Sequence, residues 1–267
     1  MRYTKVNKVH LRASLRELEI SYNNQSDWRN IMNLSKPLVE LQGLTKIYNG
    51  SKLAVNQMNL IIPRGRIIGL LGPNGSGKTT MIKMINGLLT PTNGSVLING
   101  EPPGPASKAV ISYLPERTYL PAGMKVRDII SLFAQFYQDF SIERAYNMLQ
   151  MLSIPPTAQL KTLSKGTKEK IQLILVMSRQ AQLYILDEPI AGVDPAARDY
   201  ILHTIMTNYN HQSSILLSTH LISDIEGILD EVIFIRYGQA IMHAPADAVR
   251  RAHGKSVDAY FREVFAC

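Results

Sequence analysis

The chain has 267 residues, 45% of them hydrophobic, and a formal net charge of +8. That length suits one large domain or a domain with a lobe, and the single cysteine, Cys267, excludes an internal disulfide and fits a cytosolic setting. No apolar run approaches ~18 residues, which argues against a membrane-spanning helix, and the basic N-terminus leads into the charged stretch VHLRASLRELEI rather than the apolar core of a secretory signal.

Residues 1–35 read as a basic extension, non-native or disordered. Residues 1–36 hold seven Lys or Arg against Glu17, Glu19 and Asp27, so half of the net charge lies there. Such a segment is solvated, or it touches a membrane surface or nucleic acid. Met32 opens a second plausible start, and Leu11, Leu15 and Leu18 at helical spacing suggest a short helix. After Met32, strands and helices alternate. Val39–Leu44 and Val55–Ile62 read as strands, the second stopped by Pro63. Arg66–Leu71 reads as a buried strand and Lys78–Leu88 as a helix, followed by the short strands Ser95–Ile98 and Val110–Leu114 with a Pro-rich loop between them. Helical signal then covers Val126–Tyr137, Glu143–Leu152 and the stretch from Ser164 to about Ser178. Leu183–Leu186 is fully apolar, as in a parallel strand covered on both faces. A helix over Pro195–Asn208, with Asp194 as N-cap, precedes a strand Ser213–Ser218, a helix Leu221–Leu229 and a strand Val232–Arg236. The pattern is α/β, with a helical lobe inserted at about 117–165 and no internal repeat.

The most specific stretch is GPNGSGKTT, comprising Gly72, Pro73, Asn74, Gly75, Ser76, Gly77, Lys78, Thr79 and Thr80. It fits G-x-x-x-x-G-K-[ST] between a predicted strand and a predicted helix, the P-loop setting. Backbone N–H groups of such a loop cradle phosphates, and the helix N-terminus adds its positive dipole end. Lys78 is placed for the β- and γ-phosphates and Thr79 for Mg²⁺. The second stretch is LYILDE at 183–188, a buried strand ending in two carboxylates. Asp187 suits a Walker B role at Mg²⁺, and Glu188 suits polarisation of the attacking water.

With these motifs in order, the chain resembles the nucleotide-binding subunit of ATP-binding cassette (ABC) transporters over nearly all of residues 36–262. Tyr48 in LTKIY matches the aromatic residue that stacks on adenine. LSKGT at 163–167 matches the signature LSGGQ, AGVDP at 191–195 the D-loop, and His220 the switch histidine. The resemblance implies a P-loop NTPase core with a mixed, mainly parallel sheet, an N-terminal antiparallel β subdomain and an inserted helical subdomain. It places Glu188, His220 and Lys78 in catalysis. It adds Tyr48, Ser164, Gly166 and Asp194 to the nucleotide-binding set, and Thr79, Glu116 and Asp187 to the Mg²⁺ set. Two departures stand out. Lys165 and Thr167 replace the usual glycine and glutamine of the signature, and Glu116 stands where the family usually has the Q-loop glutamine. Similar LSKG and YLPE forms occur in bacterial single-cassette exporters, as does an ending like GKSVDAYFREVF, so activity is expected to survive. The final residues 263–267 read as a tail.

The implied mechanism is a head-to-tail dimer with ATP between the P-loop of one subunit and Ser164–Gly166 of the other. A separate membrane-spanning permease would convert ATP-driven closure into export from the cytoplasmic face of a bacterial membrane. Residues around 117–150 would form the docking face, with Phe133, Phe136 and Tyr137 reading as a core stripe. No nucleic-acid partner is expected. A soluble ABC ATPase of translation or DNA repair is the alternative, although such proteins usually carry two cassettes or a long insertion. A GTPase would need an N-K-x-D box, which is missing. A non-hydrolysing cassette sits poorly with Glu188 and His220.

Overall fold

The computed structural model describes residues 36–190, 195–210 and 212–266. The readings of residues 1–35, and of Asp194 both as a helix cap and as a nucleotide contact, lie outside the described residues.

Two sheets form the framework. β1 (Val39–Tyr48), β2 (Lys52–Ile62) and β4 (Asn93–Ile98) make an antiparallel sheet in the order β2-β1-β4. β3 (Ile67–Leu71), β5 (Ile111–Leu114), β6 (Leu183–Asp187), β7 (Ser214–Ser218), β8 (Glu231–Arg236) and β9 (Gln239–Pro245) make the second sheet. Its order is β5-β6-β7-β3-β8-β9, parallel throughout except for β9.

Period-2 alternation divides the core. Ile68, Leu70, Leu183, Ile185, Leu216 and Ile233 point to one face, where they meet the antiparallel sheet and helix α1 (Lys78–Ile85). Ile67, Leu71, Tyr184, Leu186, Leu217 and Phe234 point to the other, which the remaining helices cover. With both faces covered, β3, β6 and β7 are buried at every residue. Each fully buried Leu or Ile contributes about 1.5–3 kcal/mol.

The expected strand after Leu44 is longer than its apolar pattern. β1 runs on to Tyr48 and β2 begins at Lys52, because Asn49 (φ 50°) and Gly50 (φ 73°) close a tight hairpin. Asn-Gly is the dipeptide best suited to two successive positive φ values. Helix α1 stops at Ile85, short of the expected Leu88. Gly87 takes φ 65°, and Leu88 N donates to Lys83 O, closing the helix end. The stretch expected to be loop contains helix α2 (Pro105–Val110), with Pro105 in the first turn. Ser107 Oγ accepts from Gly104 N at 2.9 Å.

The lobe consists of α3 (Val126–Phe136), α4 (Ile142–Met151) and the start of α5 (Lys165–Met177). Ser141 caps α4 and Ser164 caps α5, each hydroxyl accepting a backbone N–H at 3.2 Å. Val126, Ile130, Phe140, Met148 and Leu149 join the same apolar cluster as Ile174 and Tyr184, so lobe and sheet share a core. Phe136 corrects the stripe reading: it is 75% exposed, whereas Phe133 and Tyr137 pack against the core.

Helix α6 (Pro195–Asn208) follows β6, and the short α7 (Ile222–Ile225) continues as a 3-10 turn through Ile228. Three elements beyond β8 escaped the sequence reading: β9, α8 (Ala246–His253) and α9 (Val257–Phe265). Tyr260, Phe261 and Phe265 all meet the Phe234 ring, so residues 263–265 are helix rather than tail. Among the described residues, no helix is long and apolar enough to cross a membrane.

Candidate active site

Four adjacent parallel strands, β5, β6, β7 and β3, end on one edge of the larger sheet. Leu70 is in register with Ser218, and Ser218 with Asp187. The P-loop follows β3, Glu116 follows β5, Asp187 and Glu188 close β6, and His220 follows β7. A crevice outside the carboxyl ends of such strands is the usual ligand position of an open α/β sheet.

Lys78 opens α1 and is only 7% exposed. Its Nζ donates to Gly72 O at 2.6 Å and to Pro73 O at 3.3 Å, so the loop curls around its own ammonium. Burial lowers the Lys78 pKa, while the charges of Glu188, Asp187 and Glu116 act the other way. Asp187 is 1% exposed. Burial raises its pKa, opposed by hydrogen bonds from Ser218 and Thr79. Ser218 Oγ donates to Asp187 Oδ1 at 2.5 Å.

Glu188 has φ 53°, a backbone region uncommon for residues other than glycine, Asn and Asp. Such strain costs about 1–3 kcal/mol and persists only where neighbours impose it. Here Glu188 N donates to Ser218 O at 3.0 Å and to Ser218 Oγ at 3.2 Å. Glu188 Oε2 then lies 2.9 Å from His220 Nδ1. The carboxylate is mostly buried, while the imidazole is 56% exposed. A carboxylate held by an imidazole in this way is arranged to take a proton from water.

The donor set fits a magnesium nucleotide. Ser76 Oγ and Asp187 Oδ2 are buried without a partner among the described residues. A bound group that completes such atoms removes a penalty of about 1–3 kcal/mol each. A side chain at Gly75 would meet only open space, so the loop crest is free to receive phosphates.

A cleft of about 190 Å³ lies between the ends of β5 and β6 and the first turns of α5, lined by Glu116, Lys165, Glu169, Gln172, Asp187 and Glu188. Lys165, Glu169 and Gln172 share one helix face at steps of four and three. Glu169 Oε2 and Gln172 Nε2 are buried and unpartnered among the described residues. The sequence reading missed both, and the helical spacing from Lys165 was the available signal.

Ser164, Gly166 and Tyr48 do not line this cleft, whereas Lys165 does. Ser164 caps α5, and its Oγ lies 2.8 Å from Thr167 Oγ1, so Thr167 joins the cap. Lys165 is 82% exposed and reaches Glu169 at 3.7 Å, a weak surface pair. Tyr48 is half-buried at the end of β1, with Lys46 Nζ 5.6 Å from its ring centroid. Among the described residues, neither Tyr48 nor Ser164 nor Gly166 hydrogen-bonds to the P-loop.

Comparison with known proteins shows the family and the fold. The family model described as ABC transporter matches residues 55–191. The chain is 31% identical over 223 residues to the uncharacterized ABC transporter ATP-binding protein YhaQ of Bacillus subtilis (strain 168), covering 82% of this chain and 74% of that protein. It is 33% identical over 209 residues to the SkfA peptide export ATP-binding protein SkfE of the same organism, covering 76% and 87% respectively. A solved ATP-binding subunit of an ABC transporter superposes with a TM-score of 0.76 at 28% identity, covering 85% of this chain and 99% of that one. The chain belongs to the ABC transporter family and is one of its ATP-hydrolysing, ATP-binding subunits.

Proposed function

We propose that this chain powers export through a separate membrane-spanning partner by closing against a second cassette when ATP binds. Lys78 and the P-loop amides would hold the phosphates, Tyr48 would carry the base, and Thr79, Asp187 and Glu116 would hold Mg²⁺. The metal, when bound, would neutralise charge developing on the transferred phosphoryl group. Glu188, aligned by His220, would take the proton of the attacking water. Lys78, whose pKa burial lowers against the opposing charges of three carboxylates, would bring its ammonium to the phosphates. A relative named for peptide export supports the direction of transport.

The observation that carries the reading is the division of the expected residues. Lys78, Asp187, Glu188 and His220 converge within one chain, whereas Ser164 and Gly166 sit at the N-terminus of α5 without a hydrogen bond to the P-loop among the described residues. A helix N-terminus with a serine cap is an anion site looking for a phosphate. The phosphate would come from a second copy, in a two-fold arrangement that makes both sites at once. Sedimentation of Glu188→Gln with and without MgATP tests this. The expected result is a dimer that forms only with ATP and persists because hydrolysis is blocked. A monomer at saturating ATP would refute dimer closure.

A further inference from the structure

Behind the P-loop, segments far apart in sequence meet without room for a side chain. A Cβ on Gly72 would lie 2.4 Å from Ile235 O, and one on Gly77 would lie 2.4 Å from Ala54 O and 3.4 Å from Gly238 Cα. A Cβ on Gly238 would lie 2.8 Å from Ala54 O and 2.9 Å from Val55 Cα. Apart from Ser76 Oγ, 2.6 Å from a Cβ on Gly72, the wall met at these glycines is backbone. Gly238 is the joint of that wall. It occupies the turn between β8 and β9 at φ 75°, after Tyr237 at φ 50°. Its N–H donates to Ser76 O at 2.9 Å, and its carbonyl accepts from Asn56 N at 2.9 Å.

The rest of the loop has little of its own to hold it. Ser76 N bonds back to Pro73 O at 3.1 Å, and Lys78 Nζ spans Gly72 and Pro73, but Pro73, Asn74 and Gly75 are exposed. Ser76 is 4% exposed, and its carbonyl is anchored from outside the loop by Gly238. Through Asn56 the same residue is tied to β2, the strand that pairs with Tyr48. One glycine thus links the phosphate side of the site to the strand that would set its base side.

We propose that Gly238 is a positioning residue for nucleotide binding. From the β8–β9 turn it sets the curvature of the P-loop by holding Ser76 O, and it keeps the loop in register with β2. It touches no nucleotide atom. The proposal rests on the P-loop being the ATP site and not on dimer closure. A cassette that never dimerised would still show it.

The test compares Gly238→Ala with Gly100→Ala in the full chain. Gly100 also has a positive φ (87°), yet a Cβ there meets nothing within 4 Å. Both variants place an alanine at a positive φ, and only one drives a Cβ into β2, from which the turn would have to move. Binding is read with a fluorescent N-methylanthraniloyl ATP plus Mg²⁺, and folding by thermal melts. The expected result is a Kd raised about tenfold or more in Gly238→Ala, from a loop displaced by a fraction of an ångström. Its melting temperature falls further than that of Gly100→Ala, because of the contact with β2, so binding is read well below both melts. The KM for ATP rises in step, while kcat at saturation stays within about twofold, as for a lost uniform-binding term. Should Gly238→Ala not fold, a glycine inserted after Tyr237 lengthens the turn without adding a side chain and takes its place. A folded variant that binds within about twofold of wild type overturns the proposal, and so does an equal loss in Gly100→Ala. Failure of both hairpin variants to fold while Gly100→Ala folds also overturns it, since Gly238 would then be a folding determinant.

Discussion

Lys78 is a charged group that the fold buries at a cost. Its ammonium is held by two carbonyls of its own loop and faces Glu188, Asp187 and Glu116. The carboxylates oppose the lowering of its pKa by burial, and the carbonyls aim it at the loop interior, where a phosphate chain would lie. Lys78→Ala is expected to remove charge-assisted hydrogen bonds worth about 1.5–3 kcal/mol, which is roughly ten- to hundredfold in ATP affinity. Nucleotide titration checks this, and unchanged affinity would count against the P-loop as the phosphate site. Glu188 is strained for a different purpose. Its left-handed backbone, held by Ser218, brings Oε2 to His220. Lys78, Asp187 and Glu188 are legible in the sequence as candidates, because each lies in a short stretch whose residue types match one chemical task, whereas His220 is legible only through the ordered resemblance to the family. The strain at Glu188 was not legible, since it is imposed by a neighbouring strand thirty residues on.

Arg179, just past α5, shows how elements are locked together. The guanidinium is 3% exposed and pairs with both oxygens of Asp139, at 3.0 and 3.1 Å. It also donates to the carbonyls of Ala109 and Ile111 and lies over the Tyr137 ring at 3.9 Å. It therefore joins the lobe's α3–α4 loop to α2 and the start of β5. Arg179→Ala is expected to cost about 3–5 kcal/mol, because it strands buried acceptors, and Arg179→Lys will not restore a planar, bidentate contact. Urea unfolding measures both, and a loss under about 1 kcal/mol would show the pair to be dispensable. Helices α8 and α9 carry a pH-sensitive contact. His253 stacks on Tyr260 at 3.7 Å with Nε2 buried and unpartnered among the described residues, and burial lowers its pKa below the ordinary 6.5. The unfolded chain binds the proton more readily, so this contact's stability is present above pH 6.5 and is lost as pH falls through the lowered folded value. Melting temperature is expected to drop between pH 7.5 and the acid range, and His253→Phe, which keeps the stacking, to flatten that drop. An identical acid slope in the variant would assign the loss to other groups. Element types were mostly legible from periodicity, whereas their ends were set by Asn49-Gly50, Gly87 and Pro105, whose turn chemistry outweighs hydrophobic pattern.

On the scale of the whole molecule, the two-sheet frame gathers Lys78, Asp187, Glu188 and His220 on one edge, and the proposed dimer would bring the capped start of α5 to the site of another subunit. A mixing experiment tests that division. Lys78→Ala and Ser164→Arg are each expected to be inactive alone. Mixed equally, half of the dimers are hybrids in which one of two composite sites keeps both of its halves, so activity returns to about a quarter of wild type. No return would mean that each chain completes its own site. The sequence by itself determined the family and the α/β alternation, and it offered the P-loop and the adjacent carboxylates Asp187 and Glu188 as candidates, because these reside in contiguous runs with recognisable local chemistry; His220 became a candidate only through the ordered resemblance. Only the tertiary structure decided the Ser218 clamp on Glu188, the Arg179 lock and the Gly238 support behind Gly72–Thr80. Each of these depends on backbone or side-chain partners brought together from distant positions by the packing of the sheets, which no local pattern records.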